Sequence, residues 1–318
     1  MFFNILLVLG GFYMLIKGAD YLVNGSSSLA RRLGVPALVI GLTVVAFGTS
    51  APELFVNIIA AINGSTDIAI GNILGSNLSN ILVILGITVM IAPITLKSST
   101  VWKEIPFSLL AAILVLILGA DIYLEGASQG FLGRIDGIVL IAFFIIFLVY
   151  TLGIRESGEQ PQNKIEQLPL WQSILFIFAG LVALILGGQF VVTAATAIAL
   201  VLGMSENLIG LTIIAVGTSL PELVSSVVAA RKGHPDIAIG NVVGSNIFNI
   251  FLVLGTTSII TPLPFNTTNM VDAFVVVTAT LLMFFLLFVG KRRVLHRMEG
   301  SIFLLMYIGF ILFALSRG

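Results

Sequence analysis

The chain of 318 residues contains no cysteine and only two histidines. The first absence excludes disulfides and thiolate metal centres. The second leaves little imidazole for a transition metal. Charge is scarce as well: Asp, Glu, Lys and Arg make up 9%, with Lys+Arg and Asp+Glu equal at 15 each. That balance offers no basic surface for a nucleic acid partner. The N-terminus, MFFNILLVLGG, lacks the basic region of a cleaved signal peptide and is expected to open a first membrane span. What is abundant is apolar. Hydrophobic residues are 58% of the chain and mean hydropathy is +1.15. A soluble chain of this length has too little interior to hide them, so the expected surrounding is a lipid bilayer.

A helical span needs about 20 apolar residues. The sequence predicts ten, near 3–30, 36–62, 67–92, 104–120, 133–152, 171–200, 206–230, 236–261, 271–290 and 299–316. The expected fold is an all-α membrane protein with two halves of five helices, 1–154 and 171–318, joined by a short cytoplasmic linker, 155–170. In that arrangement 12 of the 15 basic residues fall on one side, among them Arg31, Lys97, Arg155, Lys164, Lys232 and Arg292. The positive-inside rule makes that side cytoplasmic and puts both termini outside the cell (inner) membrane. Five spans per half turn the second half upside down relative to the first, a plan used by secondary transporters.

The strongest signal is a repeat. Residues 41–93 and 210–262 align at a constant offset of 169, and 29 of the 53 positions are identical. Each copy holds GTSxPE, at Gly48–Glu53 and Gly217–Glu222, and GNxxGSNxxN, at Gly71–Asn80 and Gly240–Asn249. Pro52 and Pro221 lack an N–H and clash with the carbonyl one turn back, so each helix should break there. Carbonyls near Ala46, Thr49, Ala215 and Thr218 are then expected to be freed, which lipid tolerates only where they line a cavity or meet an ion. Thr49, Ser50, Thr218 and Ser219 add hydroxyls. Asn72, Ser76 and Asn80 share one helix face, as do Asn241, Ser245 and Asn249.

Glu53 and Glu222 are the informative pair. An ionisable residue inside a span is costly and marks a functional site by default. No basic residue in the motif helices can neutralise either. The ligand types are all oxygen, which suits a hard cation such as calcium, and two carboxylates balance one divalent ion. Sodium would suit the same cage. One site, two competing cations and inverted repeats describe an antiporter, which needs no cofactor and is not an enzyme.

Other polar residues have plainer readings. The glycines of GxxxG are expected to pack helices. Asp67 and Asp236 precede IAIGN and are expected as helix N-caps. Lys17 and Asp20 could form a local ion pair. His234 and His296 lie beside basic residues, as expected of cytoplasmic surface.

The doubled motifs closely resemble the alpha repeats of the cation/calcium exchanger superfamily, in particular its sodium/calcium exchanger branch of prokaryotic type. The resemblance implies that Glu53 and Glu222 bind calcium and sodium. The carbonyls of Thr49 and Thr218 would complete the calcium site. The carbonyls of Ala46 and Ala215, with the hydroxyls of Ser50, Ser219, Ser76 and Ser245, would form flanking sodium sites. Asn80 and Asn249 would face the centre. The first and sixth helices would slide across the core. Asn249 stands where the potassium-dependent branch carries Asp, which argues against potassium co-transport. Proton/calcium exchange, potassium-dependent exchange and a cation channel are the alternatives. The chain is expected to act as a monomer.

Overall fold

The computed structural model describes residues 2–124, 126–127, 129–154, 168–202, 215–289 and 293–317. Long apolar runs become helices because a helix satisfies its own backbone without water. Among the described residues, eight helices are long and apolar enough to cross a bilayer: α1 (Phe2–Leu33), α4 (Thr66–Ile91), α5 (Thr100–Leu118), α7 (Arg134–Leu152), α8 (Leu170–Val201), α11 (Pro235–Ile260), α12 (Thr267–Leu286) and α13 (Arg297–Arg317). Two shorter helices, α2 (Ala37–Thr49) and α3 (Ala51–Ile62), meet at a 44° bend and are together long and apolar enough for a ninth crossing. A short helix, α6, covers Asp121–Leu124. The second glutamate motif lies on α9 (Ala215–Thr218) and α10 (Leu220–Arg231). The first part of the expected 206–230 span, most of the expected 155–170 linker, and Arg155, Lys164, Lys291 and Arg292 lie outside the described residues.

Burial separates the helices into a core and a rim. In α11, 94% of the most apolar stretch is buried, and in α4, 78%; in α13 the figure is 17%. The two helices carrying GNxxGSNxxN therefore run through the centre. The expectation that GxxxG packs helices holds for α11 and not for α4, where a Cβ on Gly71 or Gly75 would meet nothing within 4 Å. A Cβ on Gly240 would sit 2.9 Å from the Leu38 carbonyl, and one on Gly244 2.7 Å from the Ala46 methyl. Backbone thus packs on backbone between α11 and α2, the close approach that small residues allow in membranes.

Helices α1 and α8 have 32 residues each. At about 1.5 Å per residue that is roughly 48 Å, well beyond the ~30 Å hydrocarbon core. They lie antiparallel, glycine against glycine. A Cβ on Gly11 would meet the Gly187 carbonyl at 2.8 Å, and one on Gly18 the Gly180 carbonyl at 2.9 Å. The reciprocal contacts, Gly187 on Gly11 and Gly180 on Gly18, measure 2.8 and 2.6 Å. Adding the repeat offset of 169 turns Gly11 into Gly180 and Gly18 into Gly187, so the interface maps onto itself.

Two strand pairs close the ends. Antiparallel β1 (Ile94–Thr95) pairs with β4 (Val294–Leu295), and β2 (Phe131–Leu132) pairs with β3 (Leu263–Pro264). Each pair ties the segment after one core helix to a loop of the other half.

Several end-group expectations are corrected. Ser65 and His234, not Asp67 and Asp236, occupy the N-cap positions of α4 and α11. Both aspartates sit inside the first turn, where the helix dipole favours a negative charge. Asp236 is held by Lys97 at 2.7 Å. Asp20 pairs with Lys232 at 2.8 Å rather than with Lys17. His234 is partly buried next to Arg31 and Lys232; burial first, then those two cations, push its imidazole below the usual range. His296 is likewise half-buried, and its backbone N–H donates to Glu299 Oε2 at 2.8 Å.

Candidate functional site

The two GTSxPE motifs break their helices in the same way. Ser50 has φ −84° and ψ 2°, and Ser219 has φ −89° and ψ 5°, each leaving helical geometry for one residue. The cause is one turn downstream: Pro52 and Pro221 offer no N–H to the carbonyls of Gly48 and Gly217. A new helix starts at once, with proline in its first two positions and the glutamate in its first turn. Each carboxylate therefore sits at the positive end of a helix whose N–H groups lack intrahelical partners. One correction concerns Ala46. Its carbonyl is not freed by the break, because it accepts the Ser50 N–H at 2.9 Å.

Glu53 and Glu222 are both 1% exposed. They lie within electrostatic reach of each other. Neither takes part in the Lys97–Asp236 or Lys232–Asp20 pair. Contacts across the repeat bring the motifs together. Ser50 Oγ lies 3.4 Å from Glu222 Oε1, and Thr49 Oγ1 lies 3.0 Å from Asn241 Oδ1. Between α4 and α11, Asn80 Nδ2 donates to Asn246 Oδ1 at 2.9 Å, and Asn77 Nδ2 to the Asn246 carbonyl at 3.2 Å. The structure thus gathers Thr49, Ser50, Glu53, Asn80, Glu222 and the α11 motif in one buried region. Ala46 and Ser76 are buried on the same helices, Thr218 is half-buried on α9, and Ala215 begins α9.

The oxygens left over define what the region can do. Glu53 Oε2, Glu222 Oε2, Ser219 Oγ, Ser245 Oγ, Asn80 Oδ1 and Asn249 Oδ1 are buried without a hydrogen-bond partner. A buried polar atom without a partner costs about 1–3 kcal/mol, so interiors rarely keep several. Asn80 shows how the orientation arises: Asn246 engages its amide nitrogen, which leaves the amide oxygen unengaged. Among the described residues no three of His, Cys, Asp and Glu come together. Two carboxylates among neutral hydroxyl and amide oxygens are a donor set for hard cations.

Asn72 and Asn241 have a different role. Asn241 Nδ2 donates to Ser226 Oγ at 2.9 Å, to Ser225 Oγ at 3.0 Å and to the Glu222 carbonyl at 3.3 Å. Asn72 Nδ2 donates to Asn57 Oδ1 at 2.8 Å. They brace the helices that carry the glutamates. Their partners Asn57, Ser225 and Ser226, with Asn77 and Asn246, escaped the sequence reading. For Asn77 and Asn246 a signal existed, since both belong to the doubled GSN. The π-helical turns at Asn80–Ile84 and Phe248–Leu254 were also unforeseen. Such turns shift the register of the following helix and concentrate at functional sites; here one begins at Asn80 and the other contains Asn249. A further buried acid, Glu104, lies apart from these motifs. It accepts the Tyr150 hydroxyl at 2.8 Å between α5 and α7.

Comparison with known proteins agrees with this geometry. The profile of the family described as Sodium/calcium exchanger protein matches residues 3–153 and 172–316. The CaxA protein of Alkalimonas amylolytica is 42% identical over 313 residues, covering 95% of this chain and 96% of that one. The sodium/calcium exchanger MaX1 of Methanosarcina acetivorans is 31% identical, covering 97% of each chain. Among solved structures, the sodium-calcium exchanger NCX_Mj soaked with sodium and calcium superposes with a TM-score of 0.83 at 34% identity, covering 98% of both chains. The profile and the full-length relatives establish that this chain belongs to the sodium/calcium exchanger family of membrane transporters.

Proposed function

We propose that the chain is a secondary antiporter that exports calcium from the cell in exchange for sodium entering down its gradient. The carrying observation is the group of buried oxygens without partners on the motif helices, two of them from Glu53 and Glu222. In this reading Glu53, Glu222 and the carbonyls of Thr49 and Thr218 hold calcium. Sodium takes the glutamates together with Ser50, Ser219, Ser76, Ser245, the Ala215 carbonyl and the second lone pair of the Ala46 carbonyl, whose first is taken by the Ser50 N–H. Asn80 and Asn249 turn their amide oxygens to the centre.

Exchange follows from electrostatics. Two close, dehydrated carboxylates repel each other and resist enclosure. One calcium ion, or sodium ions in its place, neutralises them, so either loaded form can be enclosed and released on the other side. Because the ions share oxygens they exclude one another, and the sodium gradient drives calcium. No covalent step and no cofactor is involved.

The proposed architecture has ten spans in two inverted halves, 1–154 and 171–318, with both termini outside and the 155–170 linker inside. The self-mapping contact of α1 with α8 and the exchanged strand pairs support it. The ion pair Lys97–Asp236 joins the loop after α4 to the first turn of α11, both assigned to the cytoplasmic side. The protein is proposed to work as a monomer. The test is calcium uptake into proteoliposomes loaded in turn with sodium, potassium or protons. Uptake that requires internal sodium is expected. Uptake driven by a proton gradient alone, or flux without any counter-ion, would replace this reading by proton exchange or a channel.

A further inference from the structure

We infer that Lys232 and Asp20 are positioning residues for exchange: they hold one side of the transport path closed, and the chain provides no charged equivalent on the other side. The inference rests on the exchange reading above.

Lys232 is the C-cap of α10, the helix that begins beside Glu222. Its Nζ lies 2.8 Å from Asp20 Oδ1, 3.1 Å from Asn24 Oδ1 and 3.4 Å from the Asp20 carbonyl. Asp20 and Asn24 are one turn apart on α1, so one lysine clasps that helix to the end of α10. Helix α1 packs along α10, whereas α8 makes no comparable contact with α3. Under the offset of 169 these are equivalent pairs, so the two sides of the molecule are in different states.

Burial shows the same asymmetry. Val56 and Ser225 are repeat equivalents, each one turn beyond its glutamate on the glutamate's own face. Val56 is 41% exposed and Ser225 is 1% exposed. One turn beyond Glu53 the helix face is uncovered and one turn beyond Glu222 it is covered, although both glutamates themselves are 1% exposed.

In a protein built from inverted repeats, the opposite-facing state is reached when the halves move against each other and exchange such contacts. Helix α8 would then cover α3, and α1 would leave α10. The residues equivalent to Asp20, Asn24 and Lys232 are Gln189, Thr193 and Asn63. The outgoing clasp is therefore a charged pair and the incoming one is neutral. Both ionic groups are about one-third exposed, at 33% and 30%, so water weakens the pair without abolishing it. The consequence is a resting bias towards the state with the Lys232 side closed, which is the cytoplasmic side in the proposed orientation. Repeat symmetry alone would leave the two states balanced.

The absence of cysteine permits a direct test. Val56→Cys and Ser225→Cys are each placed in the parent chain, in Asp20→Asn, in Lys232→Gln and in the exchanged double variant Asp20→Lys/Lys232→Asp. Each purified protein is labelled in detergent with a hydrophilic thiol reagent and assayed for sodium-driven calcium flux. Neutralising either partner should raise the labelling rate at position 225 by roughly threefold, the scale of a partly exposed ion pair, and slow it at position 56. The exchanged double variant and Lys232→Arg should label like the parent. Single variants that label like the parent, or a double variant that labels like the singles, would overturn the latch. Labelling does not depend on transport. A parent protein without sodium-driven flux whose labelling still shifts would leave the latch standing and overturn the exchange reading.

Discussion

Replacing Glu222 by glutamine removes one of two negative charges while keeping the volume and the polar tip of the side chain. The residue is 1% exposed, and among the described residues no basic side chain is paired with it. A divalent ion held by both glutamates would be left with an uncompensated positive charge in a dry interior. Removing one member of a buried charge pair costs about 3–5 kcal/mol. At about 1.4 kcal/mol per decade, calcium affinity should fall by roughly two to three and a half decades. Ser50→Ala provides the scale for comparison. Its hydroxyl sits 3.4 Å from Glu222 Oε1, a long contact between a neutral donor and the carboxylate. Losing it should cost about 1 kcal/mol, or roughly fivefold. The assay is calcium binding by titration calorimetry on purified protein, with sodium-driven calcium uptake into proteoliposomes beside it. Gel filtration establishes that each variant is folded. A Glu222→Gln protein that binds calcium within tenfold of the parent, or no more weakly than Ser50→Ala, would refute the assignment of this carboxylate as a calcium ligand. Glu53→Gln should behave as Glu222→Gln does.

Because Asn249 is neutral, sodium-driven calcium uptake should persist when choline replaces potassium at clamped voltage; strict dependence on potassium would place the chain in the other branch. Single cysteines at the exposed Ser65 and Ser98 should react differently with an impermeant thiol reagent on intact cells, the first labelled and the second spared; Gly233 is unsuitable as a reporter because its φ of +77° disfavours a side chain. Gly187→Ala would press a Cβ to 2.8 Å from the Gly11 carbonyl, whereas Gly10→Ala enters open space. The first should lower thermal stability in detergent by about 1–3 kcal/mol and the second should not, as read from unfolding midpoints. His234 titrates below its ordinary range when folded, so the unfolded chain holds more protons. Its contribution is present above the unfolded pKa and lost as pH falls through the folded one. Between about pH 7.5 and about pH 5 the parent should therefore lose more thermal stability than His234→Asn.

Much of this was written in the chain. The apolar runs dictate helices because lipid supplies no other partner for a backbone. A 53-residue repeat with one glutamate per copy points to a buried cation site before any coordinate is known. Proline after a small hydroxyl pair predicts the break at Ser50, since a missing N–H is a local fact. Local chemistry of this kind is legible because its cause lies within one turn of its effect.

Tertiary structure decided the rest, where partners come from distant helices. The sequence marks Asn72 and Asn241 as polar, but only packing shows their amide nitrogens donating to Asn57, Ser225 and Ser226. Asp20 finds Lys232, which is 212 residues away, in preference to Lys17 on its own helix. The π turns at Asn80–Ile84 and Phe248–Leu254 leave no mark on the hydrophobic pattern of their helices. The repeat itself is nearly symmetric in sequence, yet Val56 is exposed and Ser225 is buried. Equivalent sequences can occupy unequivalent places because α1 lies on α10 while α8 does not lie on α3. Which side is closed is legible only from how the helices are arranged, because the contacts that hold it, such as Lys232 on Asp20, join residues far apart in the chain.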